Sequence, residues 1–151
     1  MLAERGVLDP DSSPACVLAR SDRLFPQPRA QDSGGAGEFR GGLSFRRTYE
    51  LLEDATVVRR YDRAKFPPNG VAGGKPGSRS RFVIRLGTTD EQETAASGRY
   101  DMRAGERFLL QSAGGGGYGD PEKRDRSVLA RDIAEGYVSI DAAERDYGSK
   151  G

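Results

Sequence analysis

The chain has 151 residues, 35% of them hydrophobic, with 24 basic residues against 23 acidic ones and a net charge of +1. That length holds at most one ordinary domain, and adding the 21 glycines to the hydrophobic count brings the apolar share close to normal, enough for a thin core. The balanced charge excludes recruitment to nucleic acid or a membrane surface by bulk charge, and the lack of any histidine excludes Ser-His-Asp and Cys-His catalysis within the chain.

Cys16 is the single cysteine, so no internal disulfide can form. With neither histidine nor a second thiol, a metal site would have to be all-oxygen, of the Mg or Ca type. The expectation for this chain is no metal. No run approaches the roughly 18 apolar residues of a membrane-spanning helix. Residues 1–5 lack the basic start and apolar middle of a signal peptide. A soluble, cytoplasmic chain is expected.

Residues 1–31 carry Pro10, Pro14, Pro26 and Pro28 among Ser, Asp and Arg, and no strand or helix period survives beyond a few positions. They read as a poorly ordered N-terminal segment, followed by a domain over 32–148. That domain opens with five glycines within residues 34–42. Such density means either backbone approached too closely for a Cβ or a loop whose N–H groups could hold an anion. Two tight turns before a sheet would also explain it, and a lone glycine-rich loop is a weak signal, so that plainer reading is preferred. Leu43, Phe45, Arg47, Tyr49 and Leu51 then alternate with polar residues, predicting a half-buried strand whose Arg47 end is solvated or paired. Glu53 and Asp54 make a turn, residues 55–61 form a second strand, and the two are expected to pair as an antiparallel hairpin.

Phe66-Pro67-Pro68-Asn69-Gly70 is rigid and unsuited to a ladder, because two prolines remove two donors. Gly73-Gly74-Lys75-Pro76-Gly77 follows as a second glycine-dense loop. A lysine among glycines invites a phosphate-binding reading, but Pro76 replaces the Ser or Thr of a P-loop and stops a helix from starting there. Further strands are expected at 81–86, 98–102 and 106–112, with a polar loop at 87–97. The run Gly114–Gly117 ends the sheet, and Tyr118 is expected to pack over that turn. Asp120-Pro121 starts a helix with an apolar stripe through Val128, Leu129 and Ile133, ended by Gly136. Ser139 caps a second helix over 140–147, ended by Gly148. The helix pair should pack on one side of the sheet, its charges forming a solvated face. The fold class is therefore α+β: a mainly antiparallel sheet of four to six strands with two short C-terminal helices.

Without histidine, candidate acids and bases are carboxylates: Asp32, Glu38, Glu53, Asp54, Asp62 and Asp120. Paired carboxylates perform acid–base work only when their surroundings push their pKa values apart. Turn formation accounts for Glu53 and Asp54 as well, and capping for Asp120. Catalytic and substrate-binding residues are left unassigned.

Four segments carry a resemblance. Asp32-Ser33-Gly34-Gly35-Ala36-Gly37 with Arg40-Gly41-Gly42 and Glu53-Asp54-Ala55-Thr56 is the first; Phe66-Pro67-Pro68 through Gly73-Gly74-Lys75-Pro76-Gly77 is the second. Gly114–Gly117 with Tyr118-Gly119-Asp120-Pro121 is the third, and Gly136-Tyr137-Val138-Ser139 with Ala142–Gly148 the fourth. In this order they resemble the C-terminal part of the hydantoinase B/oxoprolinase family. The resemblance implies ATP-dependent opening of cyclic amides such as hydantoins and 5-oxoproline, in partnership with a hydantoinase A-type subunit and the remainder of a B-type subunit. Mg-ATP would sit on the partner, with no cofactor in this chain. Asp32, Gly34, Gly35, Gly37, Arg40, Gly41, Gly42, Glu53, Asp54, Gly73, Gly74, Lys75, Gly116, Gly117, Tyr118, Gly119 and Asp120 are family-motif positions without an assigned role. The rival reading is a non-catalytic interaction module or an inactive fragment of that family.

Overall fold

The computed structural model describes residues 22–26, 29–60, 62–94 and 97–148. The readings for residues 1–21, Cys16 included, lie outside them. Among the described residues there are seven strands: β1 (Asp22–Pro26), β2 (Arg46–Leu51), β3 (Ala55–Arg59), β4 (Arg81–Ile84), β5 (Gln92–Glu93), β6 (Gly98–Met102) and β7 (Arg107–Gln111). A 3-10 turn at Pro121–Lys123 precedes helices α1 (Arg126–Ala134) and α2 (Ile140–Tyr147). The larger sheet has the order β1-β2-β7-β4-β5, and β3-β6 forms a separate pair. All pairings between these strands are antiparallel. This is the expected α+β class, with β1 arising in a stretch whose prolines read as loop and β5 in the polar stretch 87–97.

The core of the sheet region follows from register. Tyr49 opposes Phe108, which opposes Ile84, so a continuous row crosses β2, β7 and β4. Directly opposed residues share a face. The Tyr49 and Phe108 rings stack at 4.9 Å, and Phe82 tilts against both Phe108 and Tyr100 at 5.7 Å. Leu51, Val57, Phe82, Ile84, Met102 and Phe108 are all buried there, which joins the two-stranded sheet to the five-stranded one. Arg47, at the exposed end of the β2 stripe, lays its guanidinium 5.2 Å from the Phe45 ring.

The expected hairpin of residues 43–51 with 55–61 does not form. β2 pairs with β1 and β7, whereas β3 pairs with β6. The cause is at the end of β2: Leu51 N–H donates to Glu106 O (2.9 Å) and Leu51 O accepts from Gly105 N–H (2.7 Å). Those bonds tie β2 to the β6–β7 turn, and the chain leaves in a bend at Leu52–Glu53 instead of reversing alongside β2.

The helices also sit elsewhere than expected. Leu129 of α1, Val138, and Ala142, Ala143 and Tyr147 of α2 are buried together with Ala36, with Ile133 packed against them. Ala36 belongs to the glycine-rich segment, so the helix pair covers that segment and not the sheet. The capping was legible. Ser139 accepts from Ala142 N–H at the start of α2, and Gly148 ends it at φ 62°. Asp120 caps only the 3-10 turn; Asp125 caps α1 itself by accepting from the N–H groups of Ser127 and Val128.

Candidate functional site: a bundle of glycine-rich passes

The three glycine-rich segments meet. Residues 114–119 run through the middle and hydrogen-bond to four other extended passes, at 33–37, 39–42, 69–71 and 74–78. Gly35 N–H donates to Gly115 O (2.8 Å) and Gly115 N–H to Gly42 O (2.8 Å). Gly117 N–H donates to Lys75 O (2.9 Å), Val71 N–H to Gly117 O (2.9 Å), and Phe39 and Tyr118 exchange bonds of 2.9 Å. Lys75 N–H closes a further link to Ala36 O (2.7 Å). A β-strand bonds to at most two neighbours because its polar groups lie in one plane. Four neighbours require N–H and C=O groups fanning around the chain, and a centre too crowded for side chains, as at the axis of collagen.

Space, not handedness, demands most of these glycines. A Cβ on Gly37 would lie 2.6 Å from Tyr118 O and 2.7 Å from its N, inside van der Waals contact with backbone that cannot give way. On Gly114 it would collide with Ser33 O. Positive φ within the bundle's glycines is confined to Gly73 (95°) and Gly119 (75°). Many of the bundle's N–H groups donate to one another's carbonyls, so these loops pack on each other main chain to main chain.

Charged side chains fasten the bundle to the helices. Arg40 places Nε and Nη2 on the two Asp132 oxygens at 3.0 and 3.1 Å, while its Nη1 donates to Gly41 O (2.9 Å). Arg124 donates to the same Asp132 carboxylate (2.5 Å) and to Glu38 O (3.1 Å). The Asp132 side chain is only 8% exposed. Its burial opposes ionisation, but the bonds and charges of Arg40 and Arg124 outweigh that and hold its carboxyl below the usual range. The Arg40 and Arg124 guanidinium groups lie 5.6 and 5.8 Å from the rings of Tyr137 and Tyr147, respectively. A second clip runs from Lys75 to Asp146 (2.9 Å), which Arg145 also holds. Burial raises the Asp146 carboxyl and these two cations pull it down, for a net lowering.

The sequence-chosen positions therefore divide. Asp32, with φ 59°, accepts from Ser139 N–H (2.8 Å) and ties the first pass to α2. Gly34, Gly35, Gly37, Gly41, Gly74, Gly116 and Gly117 pack backbone on backbone, and Gly73 and Gly119 turn the chain. Gly42 has open space around its Cβ position. Lys75 is held by Asp146, and its carbonyl, not its ammonium, enters the bundle. Glu53 and Asp54 lie apart on the sheet region, where Asp54 accepts from Ala104 N–H (2.9 Å), a turn contact. Asp62 bonds Arg63 N–H and Asp120 bonds Glu122 N–H. Asp32, Asp54, Asp62 and Asp120 thus each accept from a nearby backbone N–H, and among the described residues no group of three or more His, Cys, Asp or Glu could hold a metal ion. Asp132 and Arg124 were missed, read as part of a solvated helix face. The signal was present: Asp132 falls three residues after buried Leu129, on the same face of α1.

The hydantoinase B/oxoprolinase family model matches residues 28–121. The chain belongs to that family. It is 38% identical over 122 residues to the beta subunit of the caprolactamase of Pseudomonas jessenii, covering 78% of this chain and 21% of that protein. With the B-type subunit of a putative D-/L-hydantoinase from a Pseudomonas species it shares 29% identity over 114 residues, 74% of this chain and 19% of the relative. The crystal structure of the ATP-dependent caprolactamase from Pseudomonas jessenii superimposes with a TM-score of 0.72 at 32% identity, over 83% of this chain and 23% of that one. The chain thus spans about a fifth of the length of these relatives. No helix among the described residues is long and apolar enough to cross a membrane.

Proposed function

We propose that this chain serves as the C-terminal portion of a hydantoinase B/oxoprolinase-type subunit, contributing to ATP-dependent hydrolysis of a cyclic amide in the cytoplasm. Its partners in that role are the rest of a B-type subunit and a hydantoinase A-type subunit carrying Mg-ATP. Opening an unstrained cyclic amide by water is slow, and phosphorylating the carbonyl oxygen makes the carbon electrophilic; that step belongs to the A-type partner. The observation that carries the reading is the bundle. The glycine-rich segments through which the chain resembles the family meet in one hydrogen-bonded element, fastened by Asp132. The chain's part is then architectural: it supplies a fixed surface on which subunits assemble.

The lactam of the caprolactamase relative, hydantoin and 5-oxoproline share the cyclic amide that defines the substrate class. The test is co-purification of this chain with A-type and remaining B-type polypeptides, followed by ATP hydrolysis measured with caprolactam, hydantoin and 5-oxoproline. A stable complex whose ATPase rises with one of these is expected. A complex inert to all three would leave the non-catalytic module as the better reading.

A further inference from the structure

Apolar side chains line up at one end of the glycine bundle. Tyr118 pairs with Phe39 on one side, antiparallel, and with Val71 on the other, parallel. Directly opposed residues share a face, so Phe39, Tyr118 and Val71 form one row across three passes. They are exposed at 63%, 55% and 60%, and the Phe39 and Tyr118 rings lie 6.3 Å apart. Neither buried cluster includes them. Beside the row, Phe39 and Val128 line a cleft of about 410 Å³ together with Arg40, Lys123 and Arg124. The backbone beneath cannot rearrange to hide the row, because Phe39, Val71 and Tyr118 are each fixed by main-chain bonds into the bundle. An exposed apolar row on a rigid base marks an interaction surface.

We infer that this row seats the part of a hydantoinase B-type subunit that the present chain does not cover, an inference that rests on the functional reading above. In the relatives this fold occupies about a fifth of a much longer subunit, so elsewhere it lies within a single chain whose bulk is other polypeptide. Intrachain contacts of this kind have an apolar centre and a polar rim. The row supplies the centre; Glu38, Arg40 and Lys123 supply the rim. A second copy of this chain fits less well. The three side chains expose on the order of 300 Å², well short of the roughly 800 Å² per partner of a stable dimer. The same row suffices as one patch of a contact within a tethered subunit.

The test mixes this chain with a caprolactamase beta subunit lacking the segment that this chain matches, with no nucleotide present, and measures association by analytical ultracentrifugation. A complex is expected, weakened at least tenfold by F39S combined with Y118S and unaffected by L52S, whose side chain is exposed on the sheet region. Equal binding by the double variant overturns the inference. So does binding that requires the row but occurs only with the A-type subunit or with a second copy. If the shortened subunit does not fold alone, it is fused ahead of Arg29 and thermal unfolding is followed. The double variant must then lower the Tm of the fusion by several degrees and leave that of the free chain unchanged; equal shifts overturn the inference. Because no turnover is measured, failure here is distinct from failure of the ATPase test.

Discussion

Around Phe82 and Phe108, side chains fill the space between backbones; around Gly115 and Gly117, the backbones fill it themselves. The sheet region owes its cohesion to apolar area removed from water. The bundle owes its cohesion to close main-chain hydrogen bonding, with a side-chain core only where Ala36 meets the helices. The two regions should therefore fail differently. Truncating an apolar side chain harms the first; adding a single carbon between its main chains harms the second.

Phe82→Ala is expected to have the largest effect, a loss of about 3–5 kcal/mol in denaturant unfolding, because the ring is 2% exposed and touches two other aromatics. A loss below 1 kcal/mol would mean that the sheet core is not what joins the two sheets.

Asp132→Ala comes next. Removing one partner from a buried ion pair costs about 3–5 kcal/mol, and here two arginines lose it at once. The effect carries a pH signature. The folded Asp132 carboxyl titrates below its unfolded value, so its contribution is fully present above about pH 4 and lost as pH falls through the folded pKa. Wild-type stability should fall on acidification below that point, and the variant should fall less steeply. Parallel curves would place the stabilisation elsewhere.

Lys75→Ala is the smallest of these three. Its side chain is about half exposed, and a pair of that kind contributes about 0.5 kcal/mol, less at high salt. A loss of several kcal/mol would give the 75–146 clip a weight its exposure does not support.

Much of the sheet region was legible because its signals are local. Residues 98–102 alternate, residues 107–111 carry the apolar run Phe108-Leu109-Leu110, and Ser139 and Gly148 bracket α2 by capping chemistry. Pairing was not local. Nothing within 43–61 tells β2 that the β6–β7 turn will bond Leu51 and draw the two strands into different sheets. The bundle was legible only as a density of glycine. Glycine shows no periodicity, so sequence revealed that close approach would occur without revealing what approaches, and the resemblance marked the segments without saying that they meet. Asp132 was hidden by its type: a carboxylate on a helix reads as solvated unless its register with Leu129 is weighed more heavily than its charge.

The most direct measurement compares two neighbouring glycines by chemical denaturation. A Cβ on Gly41 would press into the Gly115–Gly116 backbone, 2.8 Å from Gly116 O, whereas a Cβ on Gly42 meets nothing within 4 Å. If the bundle is packed backbone on backbone, Gly41→Ala should cost about 3 kcal/mol, the upper end of an overpacking penalty. Gly42→Ala should be neutral or stabilising by up to about 1 kcal/mol through the unfolded state. Equal effects at the two positions would contradict the account: the glycines would then be serving as flexible loop, and the close-packed bundle would not exist in solution.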